Sequence, residues 1–462
     1  MATSGRTATP GETATAFFTA TPTSSPTATP LPPEPTPTAL TSSLDTTVGA
    51  QIRGSDTTPD QLSLAYAAGI RWVHIYLSWK RLEPKNSSPE NFAWQAYDSV
   101  LADLSARGFQ VIVNIDNNPS WAASSRRGPI DRTGLDEFEQ FIGAVAQRYH
   151  QPPYNLHHYE FYTEPDDWAS KPSGERGAWG GHGAEYAQML ARAHRAIHAV
   201  DPAGKVILGG LAYETWQGCE PSPCFDLNFL PDVIAAGGGP FIDILNFHYY
   251  NAFAPRYQPA NVIGKALRIH ELLPLEDRSK PIICTEIGEV YWKPDGDSAE
   301  TREFQARFLV KAFAHIEGAR VYGLDMPACT WFSFESYMNP RTMDRFGLLD
   351  ETGTPLPSYY ALRTFSQELP KRPVRVVRLD DSRTGRDGYE YVLPNEDYLL
   401  ILWTENPGRT TYDVPATHVR VVSMYGEERE VFDGQVGDED GRVNGAVRTL
   451  IGGAPVFIRI LP

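Results

Sequence analysis

Basic runs, long apolar runs and clustered metal-ligand spacings are all missing from this 462-residue chain. Its 41 Lys and Arg stand against 57 Asp and Glu, a formal net charge of −16. A surface of that sign repels phosphate backbones, which excludes nucleic acid as a partner. No stretch approaches the ~20 apolar residues that a membrane-spanning helix needs. No basic start followed by an apolar core marks an export signal at the N-terminus. No His/Cys cluster carries metal-site spacing, so neither a metal nor an organic cofactor is expected. No Gly-rich fingerprint opens the first strand–helix unit, which counts against a doubly wound phosphate-binding sheet.

Cysteine is scarce too, at four residues, too few for a disulfide scaffold. Cys219 and Cys224 share a Pro/Gly loop in which a short disulfide and two free thiols stand at even odds, because spacing alone does not fix the geometry. Cys284 and Cys329 fall within strand-like segments and read as small buried hydrophobes.

What is present suffices for a real core, with 41% hydrophobic and 21% charged residues. The length suits a barrel plus a smaller partner. Ten Trp and 22 Tyr provide flat faces of the kind that stack on sugar rings, although most such side chains serve the core. Met1 to Leu44 is a Thr/Pro/Ser/Ala tract whose only charges are Arg6, Glu12 and Glu34. Such a tract cannot bury enough surface to fold, and a disordered, extended linker is expected. An extracellular or cell-surface protein follows as the expectation, its leader absent from this chain and surface tethering through the linker a further option. A cytoplasmic protein with a disordered tail is the alternative.

From Asp45 to Pro370, strand-like and helix-like segments alternate eight times. The strand-like segments are 48–53, 71–79, 110–116, 157–164, 205–209, 242–248, 281–286 and 328–334. Alternation of this kind implies parallel strands with right-handed crossovers, and eight units fit a (β/α)8 TIM barrel. After Pro370, short strands 374–379, 398–403, 419–422 and 454–460 are separated by Gly/Asp/Asn turns. Residues 371–462 are therefore expected to form a smaller all-β sandwich beside the 45–370 barrel.

Two apolar strands end on a glutamate: His157 to Glu164 and Pro281 to Glu286. A strand that spends burial on positioning a carboxylate suggests chemistry, since water would otherwise keep that group. In a barrel both glutamates face the mouth formed by the C-terminal strand ends. A pair of carboxylates is what glycosidic bond hydrolysis requires. Alternation along strands adds companions on the same side: His74 and Tyr76 on strand two, Asn114 and Asp116 with Asn118 on strand three, His248 and Tyr250 on strand six, and Trp331 on strand eight. His248 and Tyr250 are expected to hydrogen-bond the carboxylates, and Trp331 to lie beneath a sugar ring. Trp121 follows Asn118 closely. Glu160 sits deeper than Glu164 and is expected to be structural, paired with Arg53 or His74.

The segment Tyr162-Thr163-Glu164-Pro165 resembles the strand-four Asn-Glu-Pro pattern of clan GH-A glycoside hydrolases, and Thr285-Glu286-Ile287-Gly288 resembles their strand-seven nucleophile. Asn246 to Tyr250, Pro119 to Ala122 and Leu348 to Gly353 add to a likeness with family 39 and family 5 members. The likeness implies a retaining glycosidase acting on a carbohydrate substrate, with Glu164 as acid/base and Glu286 as nucleophile. It also implies that Glu164 stays protonated beside the charge of Glu286. Thr163 departs from the pattern, which has Asn there to hold the substrate 2-hydroxyl. A threonine hydroxyl offers one donor where an amide offers two, so Asn117 or Asn118 is a substitute for that contact. A catalytically retired barrel that binds polysaccharide is the alternative from another class.

Overall fold

The computed structural model describes residues 46–87, 91–169, 177–212, 224–251, 261–293, 296–336 and 345–462. The Thr/Pro tract, Cys219 and parts of the loops after strands four and five lie outside them. Cys224 is disulfide-bonded, whereas Cys284 and Cys329 are free and buried.

Strand two, Trp72–Ser78, shows how the sequence builds the barrel. Val73, Ile75 and Leu77 are at most 1% exposed and belong to the large core that meets the helices. Trp72 points the other way and joins Ile112, Ile207, Ile244, Ile283 and Ala328 in a separate buried cluster. These six apolar residues plug the base of the barrel, as expected for an interior that is packed rather than hollow.

The barrel strands are Val48–Gln51, Trp72–Ser78, Gln110–Asp116, His158–Phe161, Lys205–Leu208, Leu245–Tyr250, Ile282–Gly288 and Cys329–Trp331. They form one sheet in the spatial order five, four, three, two, one, eight, seven, six. All seven ladders are parallel. The last seam, between strands five and six, closes through the parallel bridges Ile207↔Ile244 and Leu211↔Phe247. Capping boxes at Thr58 and Ser298 start the helices Pro59–Ala67 and Ala299–Glu317. Strand six begins at Leu245 rather than Ile242, with Ile244 joined to strand five by a single bridge, and strand eight is only three residues long, its pairing with strand seven irregular between Cys329 and Trp331. Among the described residues no helix is long and apolar enough to cross a membrane.

Beyond the barrel lies a six-stranded antiparallel sheet with a two-stranded companion, Thr410–Val414 against Val447–Ile451. Four of these eight strands escape a hydrophobicity reading. Glu428–Phe432, for example, exposes four of its five residues. Tyr389, Tyr391, Trp403 and Phe457 of this region belong to the same core cluster as the barrel helices. Tyr391 donates its hydroxyl proton to the Ala314 carbonyl at 2.7 Å, and Glu368 at the end of the last barrel helix accepts from Arg420 and Arg459.

Candidate active site

Polar groups begin one layer above the apolar plug. Glu160 is fully buried there. It accepts from Asn114 Nδ2 at 2.9 Å and Gly210 N at 3.2 Å, faces His74 Nε2 at 2.9 Å, and receives the Thr285 hydroxyl at 3.4 Å. His74 is thus its partner, while Arg53 turns away to the Ser336 carbonyl. A buried carboxylate with this many partners is a brace, since an unpaired one would be costly.

Glu164 follows strand four through a strained turn. Tyr162 and Glu164 both adopt left-handed backbone, with φ of 62° and 47°, a conformation that side-chain-bearing residues seldom hold without a surrounding structure to enforce it. Glu286 lies within strand seven and is 4% exposed. His248 joins them: its Nδ1 stands 3.3 Å from Glu164 Oε1 and 3.4 Å from Glu286 Oε2. One ligand atom from each of the three residues falls within 4.8 Å of the others. Tyr76 donates its hydroxyl proton to Glu286 Oε1 at 2.8 Å, and Tyr250 donates to Oε2.

Gly210 makes room for this ring. A Cβ there would sit 2.1 Å from His248 Nε2, so no other residue fits without moving the imidazole.

Burial alone would discharge His248, but the charge of Glu286 and the bond to Glu164 outweigh it and raise its pKa to about 9. Burial likewise pushes Glu164 upward, yet the His248 hydrogen bond and charge, with Arg127 and Lys265, hold it below the ordinary carboxylate value. This reverses the expectation of a protonated Glu164. The like charge of Glu286 is screened by an imidazolium placed between the two acids, and the proton resides on that ring. Burial and the Glu286 charge raise the hydroxyl pKa of both Tyr76 and Tyr250 well above the usual value, keeping both as donors.

Three atoms so close could also grip a divalent cation. The surrounding donor set suits the proton instead: two hydroxyl donors aim at Glu286, and both carboxylates already engage one ring nitrogen.

Two openings meet at Tyr76, the hydroxyl donor to Glu286, without being lined by either acid. A cleft of about 680 Å³ is lined by Gln51, Arg53, Asp56, Tyr76, Arg81, Tyr97 and Phe332, a size that suits a small ligand. A recess of about 250 Å³ on the other side of Tyr76 is lined by Asp116, Asn117, Arg126, Arg127 and Thr163. Thr163 is 8% exposed; among the described residues its hydroxyl makes no well-formed hydrogen bond, only a weak interaction with the Tyr76 hydroxyl, and the Asn117 side-chain oxygen has no partner.

Three sequence candidates fall elsewhere. Asn118 spends its amide on the Ser125 and Gly128 carbonyls and accepts from Tyr162, so it braces the loop after strand three. Trp121 packs edge-on against Trp79 at 5.3 Å and donates to the Glu83 carbonyl. Trp331 is fully buried, bonded to the Phe346 carbonyl and packed on Phe308 of the helix Ala299–Glu317. It faces the helix layer rather than the mouth. Phe332, one residue on, lines the cleft and meets Tyr250 at 5.5 Å. Tyr76 was legible by alternation, whereas Phe332 belongs to a segment apolar on both faces and Arg127 sits in a loop with no periodic signal.

Comparison with known proteins bears on this arrangement. A family model described as Cellulase (glycosyl hydrolase family 5) matches residues 36–311. No curated protein matches the chain in sequence. Among solved structures, a family 39 glycoside hydrolase from the gut symbiont Bacteroides cellulosilyticus WH2 is similar at TM-score 0.67 and 17% identity, over 92% of this chain and 82% of that one. A glucosidase from Croceicoccus marinus aligns at TM-score 0.59 and 15% identity, covering 92% and 97%. The catalytic domain of a family 30 xylanase C from Talaromyces cellulolyticus aligns at TM-score 0.57 and 11% identity, covering 92% and 99%. Identities this low speak for the fold alone.

Proposed function

Because the chain belongs to the Cellulase family, glycosyl hydrolase family 5, and is a glycosidase, we propose that it cleaves β-glycosidic bonds of a poly- or oligosaccharide with retention. Glu286 is the nucleophile and Glu164 the acid/base. The observation that carries this reading is the closeness of the two acids, an oxygen of each within 4.8 Å. Retaining enzymes hold their carboxyl groups roughly 5–5.5 Å apart, and inverting ones about 6.5–9.5 Å to admit a water.

In the resting site the mobile proton sits on His248 Nδ1, shared with Glu164 across 3.3 Å. A glycosidic oxygen arriving at Glu164 draws the proton through that carboxyl group as its bond to the anomeric carbon breaks. Glu286, oriented by Tyr76 and Tyr250, bonds to the same carbon. Glu164, now an anion, then takes a proton from water, whose oxygen displaces Glu286. A retired binding barrel would have no use for three mutually charged groups buried at such a site. The Thr/Pro tract supports placement outside the cell or on its surface.

Chemical rescue tests the roles. With azide and an aryl β-glycoside, Glu286→Ala is expected to yield the α-glycosyl azide and Glu164→Ala the β-glycosyl azide. Parental turnover in either variant, or the opposite anomers, refutes the assignment.

A further inference from the structure

We propose that His194, His198 and Asp243 form a binding site for a borderline divalent cation of the zinc type, separate from the sugar site. Against the expectation that no metal-site spacing occurs, His194 and His198 form a His-x3-His pair one turn apart at the end of the helix Gly183–His198, on neighbouring positions of one face. Their rings stack with centroids 3.9 Å apart. Asp243 precedes strand six and brings a carboxylate oxygen to 3.9 Å from His198 Nε2. One ligand atom from each of the three lies within 4.8 Å of the others, and all three residues are partly buried.

The second layer supports ligation. His198 Nδ1 lies 2.9 Å from the His194 carbonyl, which takes its N–H and leaves Nε2 bare toward Asp243. Metal-ligating histidines characteristically have the other ring nitrogen tied in this way. Asp243 Oδ2 accepts from Val206 N at 2.8 Å, which fixes the carboxylate. The nearby cation is Lys280. Lys280 itself is engaged with the Ile242 carbonyl at 2.8 Å and with Asp277 at 3.3 Å.

Two imidazoles and one carboxylate suit Zn²⁺, Co²⁺ or Ni²⁺ and not Mg²⁺, with a water completing the shell. Tetrahedral bonds of about 2.0–2.1 Å need donors roughly 3.3 Å apart, so the two rings and the carboxylate close by about an ångström. Asp243 and Val206 sit on the strand five–six seam, which is held by bridges rather than by a ladder. A bound ion would tie the helix to that seam. The position is about 16 Å from His248, five residues along an extended strand.

The test uses the full chain, stripped with chelator. Calorimetric titration with Zn²⁺ should show one equivalent bound, and Tm should rise by roughly 3 °C at a hundredfold excess over Kd. His194→Gln and His198→Gln should each weaken binding at least tenfold and cut the Tm rise to about half or less. Both should keep the metal-free Tm and the glycosidase rate, and Mg²⁺ should do nothing. Absence of Zn²⁺ binding up to about 1 mM overturns the proposal. So does binding that both glutamine variants retain, which would place the ion elsewhere, for example at the catalytic acids.

Discussion

Tyr76 donates to Glu286 Oε1 across 2.8 Å, although 210 residues separate the two. Strands one and eight lie between them in the sheet, so the bond crosses the barrel mouth. It aims Glu286, the proposed nucleophile, by a group on a different strand from either acid.

Removing that aim should slow the chemistry. A hydrogen bond to a charged group is worth about 1.5–3 kcal/mol, so Tyr76→Phe is expected to lower kcat about tenfold to a hundredfold. KM for an aryl glycoside should change little. An unchanged kcat would show that Glu286 is oriented without it.

His248 sets the alkaline limb. With its pKa raised to about 9, kcat/KM should hold through neutral pH and fall near pH 9. In His248→Gln the limb should move down by at least about one pH unit, because Glu164 must then keep the proton unaided. The same group links stability to pH. Its folded value lies above the unfolded ~6.5, so its contribution is complete below about pH 6.5 and disappears as pH rises through about 9. Thermal unfolding of the wild type should weaken across that window, and less so in His248→Gln. A limb that stays in place in the variant would remove His248 from the proton path.

Thr163 should serve the substrate and not the fold. Among the described residues its hydroxyl makes no well-formed hydrogen bond, only a weak interaction with the Tyr76 hydroxyl, so Thr163→Val should alter stability by less than about 0.5 kcal/mol. The variant should lose about tenfold in kcat/KM on a 2-hydroxy glycoside and nothing on its 2-deoxy analogue. Equal losses on both would deny the contact.

Asp116 carries a penalty at neutral pH. Burial, opposed by Arg127 and the Asn117 N–H, pushes its pKa up to about 6. An acid raised above its unfolded ~3.9 contributes stability that is full below that value and lost as pH rises through about 6. Asp116→Asn should therefore be more stable than wild type above pH 6, by about 2–3 kcal/mol, with the difference shrinking toward pH 4. Unfolding curves at pH 4 and 7.5 measure this, and no divergence between them would contradict the burial cost.

Much of the barrel strand pattern was legible because period-two alternation is a local property. Val73, Ile75 and Leu77 against His74 and Tyr76 separate by polarity, and Glu164, Glu286, His248 and Tyr250 emerge by the same logic. Strand eight defeated it. In Ala328-Cys329-Thr330-Trp331-Phe332 both faces are apolar, since one meets the barrel interior and the other the helices. Alternation then gives two sets without saying which points inward. Asn118 misled for a related reason: an amide that braces a loop and one that binds sugar look alike until its partners are known.

Local patterning by itself determined the eight strand–helix units, the all-β module and the two glutamates that end apolar strands, because burial periodicity is written residue by residue. Only tertiary structure decided that the imidazolium of His248 would lie between Glu164 and Glu286. Ring position, carboxylate spacing and the resulting proton affinity depend on distances across a closed barrel, and those arise from packing among residues far apart in the chain.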